Sequence, residues 1–225
     1  MAVIVCHGSG GGAENANGII LRVRPLTESS LLVHWLTPDL GRLATVARGA
    51  RRPKSPLRGK LDVFFEADFS FVRSRRTDLH TLREVVVRDM HAPLRQDLAR
   101  LRQVAYAAAL IEQTTETGAP LPEVCGLFLA FVRQICEREP RARYVLAFEL
   151  RLLAELGLAP DLEDARLSAA ARELLAHLIR LPWADLDALQ PQPSAVRGVR
   201  QFLHGFLIYH LGRLAPGRAG ALGMA

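Results

Sequence analysis

Between Gly41 and Lys60 the chain reads GRLATVARGARRPKSPLRGK, which places Arg42, Arg48, Arg51, Arg52, Lys54, Arg58 and Lys60 together with no acidic residue among them. A guanidinium group is a planar fork that donates two hydrogen bonds at once to a phosphate, so this run suits a polyanion from outside the chain. Arg73, Arg75 and Arg76 form a second basic turn, and Arg22 and Arg24 alternate with apolar neighbours in a third stretch. Nucleic acid is the favoured partner class in a chain whose formal net charge is +6. The rival reading is a basic adaptor that meets acidic proteins and binds no nucleic acid.

Other chemistry is poorly supplied. CHGSGGG near the start resembles a glycine-rich oxyanion or phosphate turn, yet the chain has no GxSxG nucleophile elbow and no GK[ST] to complete a phosphate loop. The acidic pairs Glu163 with Asp164 and Asp185 with Asp187 read as charges near helix starts. His80, His177, His204 and His210 are scattered, and the six residues from His204 to His210 do not share a helical face. Cys6, Cys125 and Cys136 contain no CxxC pair, so neither a disulfide framework nor a four-thiolate zinc site is built from them. No catalytic residue and no metal site are expected, and a reducing cytoplasm fits the thiols.

The elements that must hold these cations fall into two textures. From Gly18 to about His91 short alternating segments recur: Ile19 to Arg24, Leu31 to Leu36, Arg42 to Arg48, Val63 to Val72 and Thr81 to Arg88. Turn residues separate them, among them Pro25, Pro38 with Asp39 and Gly41, and the Gly49, Pro53, Pro56 and Gly59 of the basic loop. Five such strands over a short span predict a small barrel of the OB type. Aromatic rings in that class of barrel can stack bases, and Trp35 and Phe64 are the candidates, whereas Phe65, Phe69 and Phe71 share the face expected to be buried.

Beyond Pro93 the period changes to that of helices. Leu94, Leu98, Leu101, Ala105 and Ala108 share one face. Val124, Leu127, Phe128, Phe131 and Ile135 share another. Tyr144 to Leu156 is apolar nearly all round and is expected at the centre of a bundle. Ser168 is expected to cap a helix carrying Leu174, Leu175 and Leu178. Ser194 is expected to cap the last helix, with Val199, Phe202, Phe206 and Tyr209 on one face. The fold expected is α+β, a five-stranded OB barrel followed by an all-helical domain, divided as a flexible extension (1–17), barrel (18–92), helices (93–214) and a flexible tail (215–225). No apolar run is long enough to span a bilayer.

Several blocks then resemble one family. GIILRVRPLTESSLLVHWLTPDLGRLATVARGARRPKSPLRG is similar to the start of the bacterial DNA repair protein RecO family, TDLHTLREVVVRD to its closing barrel strand, FELRLLAELGLAPDL to its central helix and FLIYHLGRL to its last. The resemblance implies a cytoplasmic, nucleoid-associated recombination mediator. Such a protein binds single- and double-stranded DNA, anneals complementary strands, and with RecR helps load RecA onto strands coated by single-stranded-DNA-binding protein. It assigns DNA binding to Arg48, Arg51, Arg52, Lys54 and Arg58, with Arg22, Arg24 and Arg42 from neighbouring strands. The acidic, apolar-tipped tail of the single-stranded-DNA-binding protein is an implied partner, and Arg133, Arg141, Arg143 and Arg151 are the candidates to rim its pocket. Many relatives carry a zinc-binding cysteine cluster after the central helix, where this chain has LEDARLSAAARELLAHL. Zinc is therefore not expected.

Overall fold

The structure is a computed structural model that describes residues 12–161 and 167–223. The CHGSGGG turn up to Gly11, Cys6 and the Glu163 and Asp164 pair lie outside the described residues.

Five strands close into a barrel: β1 (Glu14–Pro25), β2 (Leu31–Thr37), β3 (Gly41–Ala47), β4 (Glu66–Val72) and β5 (Leu79–Asp89), neighbouring in the order β1-β2-β3-β5-β4. All pairs are antiparallel except β3 with β5. Closure depends on β1, which pairs with β4 along its first half and with β2 along its second. Gly18 sits at that change of partner, where an added Cβ would lie 2.5 Å from the Leu36 carbonyl oxygen. The first strand therefore starts at Glu14, earlier than the expected Ile19. Residues 14–17 are ladder and not extension, because Asn15, Ala16 and Asn17 find partners in Ser70, Phe69 and Asp68.

Alternation sends Ile20, Val33, Trp35, Leu43, Phe65, Ala67, Phe69 and Phe71 into one cluster with Leu82 and Val85. Both proposed stacking residues lie inside. Trp35 is fully buried, its ring stacked on Phe69 at 4.0 Å and its indole N–H donating to Thr45 Oγ1 at 2.8 Å. Phe64 is 3% exposed with a left-handed φ of 64°, in a turn whose N–H donates to Ile20 O at 2.7 Å. A bulky residue in that region is held only by strong surroundings. The alternation over 63–72 fails at Phe64 because this turn, and not a strand, delivers it.

The second unit takes His91–Glu116 and the chain from Glu123 onward. It contains α1 (Leu98–Thr114), α2 (Pro122–Glu137), α3 (Ala142–Glu155), α4 (Ala169–Arg180), α5 (Pro193–Leu211) and α6 (Arg218–Ala221). As expected α3 is buried nearly all round, and Gly157 beyond it takes a positive φ of 72°. The buried residues of α1 are Gln103, Val104, Tyr106, Ala107, Ala108, Leu110 and Ile111, with Leu98 59% exposed. Asp97 caps this helix by accepting from the amides of Ala99 and Arg100, so Leu94 belongs to a separate 3-10 turn and counting from it misphases the face. Pro193, not Ser194, opens α5, since proline loses nothing at a position whose N–H has no helical partner. Its buried stripe is Ala195, Val199, Leu203 and Leu207.

The expected tail is also ordered in part. Arg218 in α6 is 5% exposed and donates from Nε and an Nη to Glu149 at 2.7 and 2.9 Å, and Tyr106 donates its hydroxyl to the same carboxylate at 2.5 Å. Burial, then the Glu149 charge, holds the Tyr106 hydroxyl well above its ordinary range, so it stays a donor. A buried carboxylate needs such partners.

Candidate nucleic-acid interface

The basic loop fills the place between β3 and β4. A chain of turns builds it: the amides of Ala50, Arg52, Ser55, Arg58 and Lys60 donate to the carbonyls of Ala47, Gly49, Arg52, Ser55 and Leu57. Ala50 and Leu57, 4% and 6% exposed, plug into the barrel core and fix the loop from beneath. Gly49 and Gly59 take positive φ values of 68° and 76°, which the bends between the cations require. The result is a loop with a rigid underside and a cationic outer side.

Arg48, Arg51, Arg52, Lys54 and Arg58 are exposed and Lys60 is half-buried. Arg51 donates to Thr27 O at 3.0 Å and Arg58 to Pro53 O at 3.2 Å, bonds that orient each guanidinium without neutralising it. Among the described residues none of these six side chains has a carboxylate within ion-pair distance. Arg48 and Arg52 border a groove of about 580 Å³ whose other wall is the β1–β2 turn, with Leu26, Thr27 and Ser29. Leu26, Thr27 and Ser29 carry no charge themselves, and the sequence marked them only by the turn chemistry of the TESS segment.

Register places the remaining cations along the outer face of β1, β2 and β3. Arg22 pairs with His34, which pairs with Ala44; Arg24 pairs with Leu32, which pairs with Val46. The outward sequence along the strands is thus Arg42, the level of Arg22, the level of Arg24, then Arg48, in steps of about 7 Å. Arg24 is exposed, and Arg22 and Arg42 are half-buried. The β4–β5 turn comes next to the Arg42 end, because Leu79 pairs with Ala44. Arg75 and Arg76 are exposed on it. Arg73 differs from its neighbours. Two hydrogen bonds of 2.8 Å tie it to Glu14, and the guanidinium's hydrogen bonding holds the carboxyl below the usual carboxylate range. Arg73 is engaged because β1 begins early enough to bring Glu14 to it.

The four arginines nominated for a partner pocket do not converge. Arg143 donates to the carbonyls of Leu186 and Leu189 at 2.6 and 2.8 Å, and Arg151 donates to those of Leu178 and Leu181 while lying 4.1 Å from the Trp183 ring centroid. Arg143 ties down the chain after α4, and Arg151 holds the C-terminal end of α4 itself. Arg141 pairs with Glu139 at 3.3 Å, and Arg133 is exposed on α2. A cleft of about 360 Å³ instead joins Arg151 to Arg180, with Leu127, Ile179, Leu181 and Pro182 as its apolar lining. Asp187, read from sequence as a helix-start charge, accepts from the Tyr144 hydroxyl at 2.5 Å. No group of three His, Cys, Asp or Glu side chains suited to a metal occurs among the described residues, and the chain after α3 offers no thiolate up to Arg180. No helix of the described residues is long and apolar enough to cross a membrane.

A closed barrel in the order 1-2-3-5-4, with a helical unit after it, defines the class: an OB-fold protein with an appended helical domain. A family model described as Recombination protein O N terminal matches residues 13–91, and one described as Recombination protein O C terminal matches residues 95–166. The chain belongs to the recombination protein O family. Among similar curated proteins is the DNA repair protein RecO of Moorella thermoacetica, 29% identical over 92% of this chain and 90% of that one. DNA repair protein RecO of Anaeromyxobacter dehalogenans is 29% identical over 89% and 92%, and that of Rhodopirellula baltica 29% over 78% and 73%. The family places the chain in DNA repair.

Proposed function

We propose that the barrel unit binds the phosphodiester backbone of single- and double-stranded DNA without base-specific readout, and that the protein is a recombination mediator which catalyses no covalent step. The observation that carries this reading is the loop from Arg48 to Lys60, cationic on its outer side, free of carboxylate partners among the described residues and seated on buried Ala50 and Leu57. Arg42, Arg22, Arg24, Arg75 and Arg76 extend that surface along the sheet exterior. Neutralising two strands on one such surface lets their base edges pair, which is the physical basis of annealing. Loading of RecA together with RecR onto strands coated by single-stranded-DNA-binding protein completes the proposed role. The Leu127, Ile179, Leu181 cleft with Arg151 and Arg180 is the proposed seat for the acidic, apolar-tipped tail of that coat protein.

Salt-titrated binding of an unstructured oligonucleotide tests the proposal. On a single strand, contact with about six phosphates makes affinity fall about 300-fold between 50 and 200 mM salt. Arg51→Ala, Arg52→Ala and Lys54→Ala combined should flatten the slope by about three phosphates' worth and slow annealing; an unchanged slope removes the loop from the interface. In the same titrations a peptide copying the coat-protein tail should bind the triple variant as well as the parent, and loss of that binding would assign the tail to the barrel.

A further inference from the structure

The last long helix, α5, carries an aromatic ridge beside its buried stripe. Its buried stripe is Ala195, Val199, Leu203 and Leu207, which leaves Phe202 and Phe206 half-buried and Tyr209 84% exposed. Spacings of four and three residues line these rings up along one edge. Phe202 lies 5.6 Å from Phe206, Phe206 lies 4.2 Å from His210, and His210 meets Tyr209 edge-on at 5.0 Å. The Tyr209 ring thus meets His210 at an edge and is otherwise open to solvent. Gly212 ends the helix with a φ of 73°, and the next residue, Arg213, is exposed, its carbonyl held by the Gln113 amide at 2.8 Å.

Charge decides what such a ridge receives. No acidic residue follows Asp187 in the sequence, whereas Arg197 and Arg213 are both exposed on or beside α5. A second copy docking the same face would bring like charges together. A polyanion with flat apolar groups matches both the rings and the cations. We propose that this ridge is a second single-stranded nucleic-acid contact, distinct from the barrel loop, on which an unpaired base stacks against Tyr209 while Arg213 meets the adjoining phosphate. A protein with two such surfaces holds two strands, or two stretches of one strand, at the same time.

The test uses the full chain and a fluorescently labelled oligothymidylate. Tyr209→Ala should weaken binding about tenfold, within the range measured for loss of one stacked base, and Tyr209→Phe should restore it, because stacking needs the ring and not the hydroxyl. Combined with the triple loop variant, the Tyr209→Ala loss should multiply with that of the loop, as separate contacts do. Three results would each overturn the proposal: unchanged binding by Tyr209→Ala, failure of Tyr209→Phe to restore it, or sedimentation showing a dimer that Tyr209→Ala splits. Because Tyr209 is exposed, an unchanged thermal melt confirms that the variant is folded. The loop variant alone is scored against the barrel reading, so failure of either contact is read independently of the other.

Discussion

His80 shows how one side chain couples the basic turn to the barrel beneath it. Its Nδ1 accepts from the Ser74 amide at 3.3 Å, and its ring stacks on Phe71 at 5.4 Å, 8% exposed. Burial, then the nearby Arg73 charge, lowers its pKa, so the neutral ring with its proton on Nε2 is the folded form. The unfolded chain takes up the proton first as pH falls. Stability from this group is therefore complete above the ordinary histidine value of 6.5 and is lost as pH drops through the lower folded value. Glu14 acts in the same sense at more acidic pH, since its carboxyl is held below the ordinary value by Arg73. Thermal melts between about pH 7.5 and pH 5 should show a falling midpoint, and His80→Gln should remove the part of that fall above the carboxylate range. Equal pH dependence in both proteins would refute the assignment.

At the scale of elements, the β3–β4 connection is a train of turns, and its cations are positioned by what it buries. Leu57 is the larger of its two anchors. Leu57→Ala should cost about 2 to 5 kcal/mol of barrel stability in urea unfolding, the range for a buried leucine. The same variant should bind DNA more weakly while keeping the salt slope of the parent, because every cation is still present but less well placed. A flattened slope would mean that Leu57 was holding particular phosphate contacts and not the loop as a whole.

On the scale of the whole molecule, the two units are not consecutive in the chain. After α1 the segment Thr117–Pro122 returns to the barrel unit, where Gly118 donates to Arg42 O at 2.9 Å and Leu121 to Pro38 O at 3.0 Å. Gly41 makes this approach possible: with φ at 63°, an added Cβ would fall 1.7 Å from the Ala119 carbonyl oxygen. Hydrogen exchange should therefore find the Gly118 and Leu121 amides protected together with the barrel strands. Exchange at the rate of an open loop would refute the return of this segment. A barrel cut at residue 92 lacks these bonds and should melt below the intact one.

Local order was legible wherever neighbours in the chain decide the outcome. Alternation marked the five strands, the TVARGARRPKS run marked the cationic loop, and Ser168 and Gly157 marked helix ends, because turn, cap and face preferences act over a few residues. The same stretches resembled the family that the domain matches then established. Contacts made across the chain needed the tertiary structure. Trp35 and Phe64 were drawn inside by Phe69, Thr45 and Ile20; Arg73 was taken by Glu14 and Arg218 by Glu149. The cationic track from Arg42 to Arg48 exists only once register sets Arg22 and Arg24 beside β3. A sequence states which side chains carry charge and how they alternate; which charges meet a partner depends on segments far apart in the chain that the fold brings together.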